Sequence, residues 1–429
     1  MSRRLVVVAD SDSYVKWGAA FASRLPGEWE IELVLLATPV LPSARQLRSA
    51  VAGTAFTPEA VRTLELHELA EYVASWRPDV VLLSLRGPLV RVVAPLLGSG
   101  PARPVLVSGF PGLTIPAEPK AIIYREQVDL IVLHSRREVR EFRANAAALG
   151  VPVEFGLATL PFLPDAPVPD ILLGETRGDL VFAAQAKVPS ERDERIRLLG
   201  WLVDAARRRP THRVVVKVRA ARGEAQTHAE TFDFAELLAD PVVRAQLGGT
   251  LPANLVVEDG PMAAHLERAA ALVTVSSTAV LEAIAGGIPA ILVDEFGVRP
   301  KLINTVFEGS GLFGGAEDLA AWTARHPATS WLDDNYFHGR QHDDWPAQLE
   351  ELLRRRATAP SALRARRYNL RGGALRRAFE RKRMLGHHDR STAGTLSVVV
   401  ALPARWVVRR ARRIRRRFAG PAPEFVDAA

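Results

Sequence analysis

The sequence predicts an α/β protein of two doubly wound units in series, each a parallel sheet covered by helices, followed by a basic helical tail. Three observations lead there. From residue 4 onward, short and continuously apolar runs alternate with amphipathic helical patterns, as parallel strands buried on both faces require. The Pro-rich passage LPFLPDAPVPD (160–170) interrupts this alternation, which then restarts. Charge is also divided along the chain. Residues 351–429 hold 21 Lys and Arg against five Asp and Glu, which leaves residues 1–350 at −8 of the total of +8.

The elements follow in order. RLVVVAD reads as a strand, YVKWGAAFASRL as a helix and WEIELVLLA as a second strand. LHELAEYVASW is amphipathic and leads into the strand RPDVVLLSL. PLVRVVAPLLG is a helix, PVLVSGF and VDLIVLHS are strands, and RREVREFRANAAALG is a helix. After the Pro-rich passage come the strand DLVFAAQ, the helix ERDERIRLLGWLVDAARRRP and the strand HRVVVKVR. NLVVEDG, PMAAHLERAA, ALVTVSSTAVLEAIAGG and PAILVDE complete the second series. The expected divisions are 1–163, 164–350, a basic helical segment 351–390 and an Arg-rich amphipathic tail 391–429.

The chain has 429 residues and no cysteine, so disulfides and thiolate metal sites are excluded. MSRRLVVVADSDS does not read as a signal peptide, because its apolar run is short and acids follow at once. No apolar run is long enough to span a bilayer. A cytoplasmic chain is expected, peripheral on the inner face of the cell membrane.

ALVTVSSTAVLEAIAGGIPAILVDE (271–295) carries the most chemistry. An apolar strand ends in Ser276, Ser277 and Thr278, and Val280, Leu281 and Ile284 give the next run a helical apolar face. The three hydroxyls therefore sit where unpaired N–H groups and the positive end of a helix dipole point. They can hold a phosphate there, or one of them can simply cap the helix. Glu282 lies one turn on and could accept from a ribose or sugar hydroxyl.

SSTAVLEAIAGGIPAILVD resembles the Ser-Ser-Thr, Glu-Ala, Gly-x-Pro signature of GT-B glycosyltransferases, enzymes of two Rossmann-like domains that face a cleft. The resemblance is to bacterial capsular polysaccharide enzymes, including sialyl- and Kdo-transferases that use CMP-sugars. The whole chain is also similar to a group of actinobacterial glycosyltransferases. Glycerophosphotransferases of teichoic acid synthesis carry a comparable motif. The resemblance implies a nucleotide-sugar co-substrate bound by the second unit, an acceptor bound by the first, and release of the nucleotide without a bound metal.

Other positions fit that plan. Lys217 and Arg219 alternate to one face at the end of a strand, where two cations could meet a departing phosphate. Capsule enzymes carry Lys-x-His-Pro in a similar place, and this chain has Ala220 after Arg219. Glu258, Asp259 and Gly260 read as a loop lining the nucleotide pocket. In sialyltransferases an acidic-acidic-Gly motif supplies the general base, but from the first domain, so the order differs here. In the first unit, Asp10, Ser11, Asp12 and Ser13 join the first strand to the first helix, with Lys16 a turn further on. Glycosyl transfer with inversion needs a group to take the acceptor proton and positive stabilisation of the leaving phosphate. Asp12 or Asp10 is the expected base, and His134, ending a later strand, is a third candidate. The same residues also make ordinary helix caps. No metal constellation stands out, and no cofactor is expected beyond the nucleotide-sugar.

Val407, Ala411, Ile414 and Phe418 form an apolar stripe among eight arginines, which suits an anionic membrane surface through residues 396–418. The body lacks the aromatic-basic interleaving of RNA-binding modules, so no specific nucleic acid is expected. The expected activity is transfer of a sugar to an envelope or capsular glycan acceptor, free or lipid-linked. CDP-linked glycerol-phosphate transfer, nucleotide-sugar 2-epimerisation and a non-catalytic membrane scaffold are the alternatives.

Overall fold

The computed structural model describes residues 2–25, 27–98, 103–163, 177–186, 188–218, 231–359 and 362–399. In the first unit, seven strands form one parallel sheet: β1 (Arg3–Ala9), β2 (Trp29–Leu36), β3 (Arg62–Leu64), β4 (Val80–Ser84), β5 (Val105–Ser108), β6 (Leu130–Leu133) and β7 (Glu154–Leu157). Their order is β3-β2-β1-β4-β5-β6-β7. In β1, Val6 and Val8 enter one apolar core while Leu5, Val7 and Ala9 enter the other. Both faces are buried, which explains the unbroken apolar run.

The second unit repeats the plan with β8 (Asp179–Ala183), β9 (Val214–Lys217), β10 (Leu255–Glu258), β11 (Ala269–Thr274), β12 (Ala290–Val293) and β13 (Phe313–Gly314), in the order β10-β9-β8-β11-β12-β13. All registered pairs in both sheets are parallel. Each sheet winds outward from a switch point, between β1 and β4 in the first and between β8 and β11 in the second. Crevices at the carboxyl ends of strands beside a switch point are where doubly wound folds bind ligands. The Asp10–Ser13 turn follows β1 and the Ser276–Thr278 turn follows β11, so both sequence-predicted turns lie at these crevices.

The C-terminal helices return to the first unit. The helix Trp345–Thr358 seats Trp345 and Leu349 in the core that holds Val7 and Leu130. A Cβ on Gly156 of β7 would lie 2.8 Å from the Cβ of Trp345, so glycine permits the fit. Leu385 of the helix Gly373–Leu385 joins the opposite core. The basic segment is only partly a surface feature. Arg356 donates to the Arg103 carbonyl and pairs with Asp129, Arg355 pairs with Glu154, and Arg366 pairs with Glu380. Arg364 reaches the carbonyls of Val128 and Pro152. Several arginines of the basic helical segment 351–390 therefore dock it onto the first unit. Residues 400–418 of the expected membrane segment lie outside the described residues, as does 164–170 of the Pro-rich passage. The described start of that passage is packed, with Leu160 and Leu163 in the core beneath β11.

Candidate functional site

The two switch points face each other, and Lys16 and Glu282 join them. Lys16 Nζ lies 3.1 Å from Glu282 Oε1 and 4.6 Å from the centre of the Phe162 ring. Lys16 belongs to the helix Asp12–Ala22 and Glu282 to the helix Ala279–Ala285. Asp12 is four residues before Lys16 and shares its face, so it too is directed to this side. Arg45 and Asp259, 3.5 Å apart, make a second contact between the units. On a third side, the loop after β5 meets the Ser-Ser-Thr turn. A Cβ on Gly112 would fall 2.6 Å from Thr278 Cγ2, closer than any side chain allows.

Further along the interface the units are fixed by polar groups. Tyr336 donates to Glu138 at 2.7 Å, and the same carboxylate accepts from the N–H groups of His134 at 2.8 Å and Thr114 at 3.2 Å. Burial pushes the Glu138 carboxyl up and the Tyr336 hydroxyl further up. Arg136 and Arg140 pair with Asp333 and Asp334 beside this joint.

The Ser-Ser-Thr turn is more tightly built than its sequence implies. Ser276 N–H donates to Gln185 Oε1 at 2.9 Å, and Gln185 Nε2 donates to Ser276 Oγ at 3.1 Å. Ser277 N–H donates to Thr274 Oγ1 at 3.2 Å, and Thr274 Oγ1 donates to the Ala183 carbonyl at 3.1 Å. Ser277 Oγ accepts from Ala279 N–H at 3.2 Å, so Ser277 caps the short helix. Thr278 is already in helical geometry and makes no cap hydrogen bond. The capping reading therefore holds for Ser277, while Ser276 is bound to Gln185. Lys217 ends β9, largely buried, in register with Ala183 and Glu258. Gly260 adopts φ +100° in an open turn after β10, a conformation that favours glycine. Arg219 lies outside the described residues.

Three expected residues are placed elsewhere. Asp10 is fully buried, and its carboxylate is held by the Arg86 side chain and, at 3.2 Å, by the Arg86 N–H. Burial pushes this carboxyl up, against the pull of Arg86. Asp10 therefore closes the crevice between β1 and β4 and is not available to an acceptor. His134 is likewise buried. Its Nε2 accepts from Trp17 Nε1 at 2.7 Å and its Nδ1 lies 2.9 Å from the Ala158 carbonyl, so neither nitrogen is free to act as a base. Glu258 is drawn away from the cleft by Arg213 and Arg268, which stand before β9 and β11 at the opposite end of the sheet. Asp12 and Ser13 remain part-exposed at the cleft side, with Ser13 Oγ donating to Asp12 Oδ1 at 3.4 Å.

Sequence reasoning missed Gln185 and Arg86. Each is the first long polar side chain after an apolar strand beside a switch point, a signal that was present in DLVFAAQ and VVLLSLR. A cavity of about 420 Å³ lies beside this crevice, between the loops after β8 and β12. Ser190, Glu191, Arg195, Arg299 and Lys301 line it. Among the described residues, no group of three or more His, Asp or Glu could hold a metal ion, and no helix is long and apolar enough to cross a membrane.

Among solved structures, the UDP-GlcNAc 2-epimerase of Methanocaldococcus jannaschii is similar at a TM-score of 0.53 with 11% identity, covering 82% of this chain and 99% of that one. The S. aureus MnaA–UDP co-structure gives 0.49 and 11% over 85% and 100%. Phytolacca americana apo UGT2 gives 0.42 and 12% over 84% and 97%. The likeness to the Methanocaldococcus enzyme is one of fold, the two Rossmann-like units of the GT-B arrangement. A comparison with curated proteins finds no match. The model of one sequence family matches residues 5–352, both sheets and the start of the returning helix. The chain therefore belongs to the family described as "Putative glycosyltransferase (DUF6716)".

Proposed function

We propose that the chain transfers a sugar from a nucleotide-sugar to a lipid-linked envelope or capsular glycan, in the cleft between the two sheets. The observation that carries this reading is the Lys16–Glu282 contact, which sets the helix beginning at Asp12 opposite the helix following Ser276–Thr278. The second unit holds the donor. Ser276, Ser277 and Thr278 take the phosphate next to the sugar, and Lys217 and Arg219 offset its charge. Glu282 accepts from a ribose or sugar hydroxyl once Lys16 releases it, and the Gly260 turn borders the base.

The acceptor enters from the first unit, where Asp12, with Ser13 and Lys16 beside it, takes the proton of the attacking hydroxyl. The acceptor oxygen bonds to the anomeric carbon as the bond from that carbon to the phosphate oxygen breaks. The electron pair leaves with the nucleotide phosphate, and the configuration inverts without a metal. The lipid-linked acceptor is reached through residues 396–418, which begin with the exposed Leu396 and Val399 and continue into the arginine-rich sequence.

A thermal-shift screen with CMP, UDP, GDP, CDP and TDP tests the donor assignment. One or more of these is expected to raise the melting temperature, and Ser277→Ala is expected to abolish the rise. No response to any nucleotide contradicts the reading. Incubation with the matching nucleotide-sugar alone separates transfer from 2-epimerisation, since an epimerised donor formed without acceptor contradicts transfer.

A further inference from the structure

Gln185 occupies the switch point of the second sheet, on the residue stretch that leaves β8 and directly against the turn that leaves β11. Its carboxamide has one orientation. Ser276 N–H can only donate, so Gln185 Oε1 must face it, and Nε2 must then face Ser276 Oγ. Ser276 Oγ therefore spends a lone pair on Gln185. Its remaining contact to Oε1 is 3.4 Å, too long to hold its proton well. Ser277 Oγ likewise spends a lone pair on Ala279 N–H. Thr274 differs, because its proton is committed to the Ala183 carbonyl. One lone pair of Ser276 Oγ and one of Ser277 Oγ are thus spent within the protein, which leaves the proton of each able to turn toward a ligand.

The loop that carries Gln185 is itself clamped. The buried guanidinium of Arg195 binds the carbonyls of Gln185 at 2.9 Å, Ala186 at 2.8 Å and Pro189 at 2.9 Å, and also that of Phe232. It lies 4.6 Å from the Phe234 ring centre. These contacts tie the loops after β8 and β9 together.

We propose that Gln185 is a positioning residue that fixes the Ser276–Ser277 turn as a hydrogen-bond donor surface, and so selects an anionic phosphate over neutral ligands. This rests on the donor-site reading above. A carboxylate in place of the amide reverses the pattern. It accepts from both Ser276 N–H and Ser276 O–H, turns the hydroxyl proton inward and adds negative charge beside the phosphate. When that carboxyl is protonated, its own O–H can again donate to Ser276 Oγ and the outward proton returns.

The test is nucleotide affinity of the full chain by calorimetry at pH 8 and pH 5, with CMP, UDP, GDP, CDP and TDP as probes. Q185E is expected to bind the nucleotide that the unsubstituted chain prefers on the order of tenfold or more weakly at pH 8. At pH 5 the deficit relative to the unsubstituted chain is expected to shrink, because burial beside a phosphate raises the introduced carboxyl above the ordinary glutamate value of about 4.3 and protonates it in part. A merely structural role does not yield that rescue. S276A, which keeps the turn if Q185E does not fold, is expected to lose affinity equally at both pH values. Equal affinity of Q185E and the unsubstituted chain at pH 8, or a deficit of the same size at pH 8 and pH 5, overturns the role of Gln185 and leaves the donor site standing. No binding of any of the five by the unsubstituted chain overturns the donor site, and the role of Gln185 with it.

Discussion

Acidification is expected to destabilise the first unit through His134. Trp17 Nε1 can only donate, so His134 Nε2 must accept, and the ring proton sits on Nδ1 facing the Ala158 carbonyl. A second proton would set Nε2–H against the Trp17 N–H in a buried site. Burial accordingly pushes the His134 pKa down from 6.5 to about 4. The folded state binds this proton less readily than the unfolded chain, so the stabilising contribution is full above about pH 6.5 and is lost as the pH falls toward 4. The loss reaches about 2 kcal/mol at pH 5 and roughly 3 kcal/mol below pH 4. Urea unfolding followed by tryptophan fluorescence at pH 7.5 and 5.0 reads it. His134→Gln preserves one acceptor and one donor, so the wild type should lose about 2 kcal/mol more than this variant over that interval. Equal pH dependence of the two proteins, or an NMR titration of His134 centred near pH 6.5, would refute the reasoning and return His134 to the list of candidate bases.

Other outcomes follow from the same geometry. Tyr336→Phe leaves the buried Glu138 short of one donor, and a loss of about 1–3 kcal/mol is expected in chemical denaturation. Gly112→Ala forces the loop after β5 and Thr278 apart, so nucleotide affinity should fall by calorimetry while the far-ultraviolet dichroism is unchanged. Asp12→Asn should keep the nucleotide-induced rise in melting temperature yet abolish transfer of radiolabelled sugar to a lipid extract. Removal of residues 396–429 should abolish flotation with anionic vesicles, and full binding by the truncated chain would sink the membrane assignment.

The strand–helix alternation was legible because β1, β4, β8 and β11 are buried on both faces, and a residue run such as Leu5–Ala9 has no other soluble explanation. The short edges were not. β3 has three residues and two exposed side chains, β13 has two residues, and β7 carries Gly156 for the sake of Trp345, almost 190 positions later. The return of the C-terminal helices depends on such long-range fits, so the sequence shows a basic helical segment without showing that its arginines bind carbonyls of the first unit. The turn at Ser276–Thr278 was legible as a strand-to-helix turn, while its contact with Gln185 was not, because that contact exists only once β8 and β11 lie side by side. Asp10, Asp12 and His134 were indistinguishable as residues at strand ends. What separates them is direction: Asp10 turns in to Arg86, His134 turns in to Trp17, and Asp12 starts the helix that carries Lys16 to Glu282.

The central claim is that the second unit's switch point binds a nucleotide through its phosphate. Calorimetric titration of the intact chain with UDP and CMP, repeated with Ser277→Ala and Lys217→Ala, tests it most directly. The account predicts binding of at least one nucleotide and a marked loss of affinity in both variants. Affinity unchanged in both variants would show that the phosphate lies elsewhere and would contradict the account.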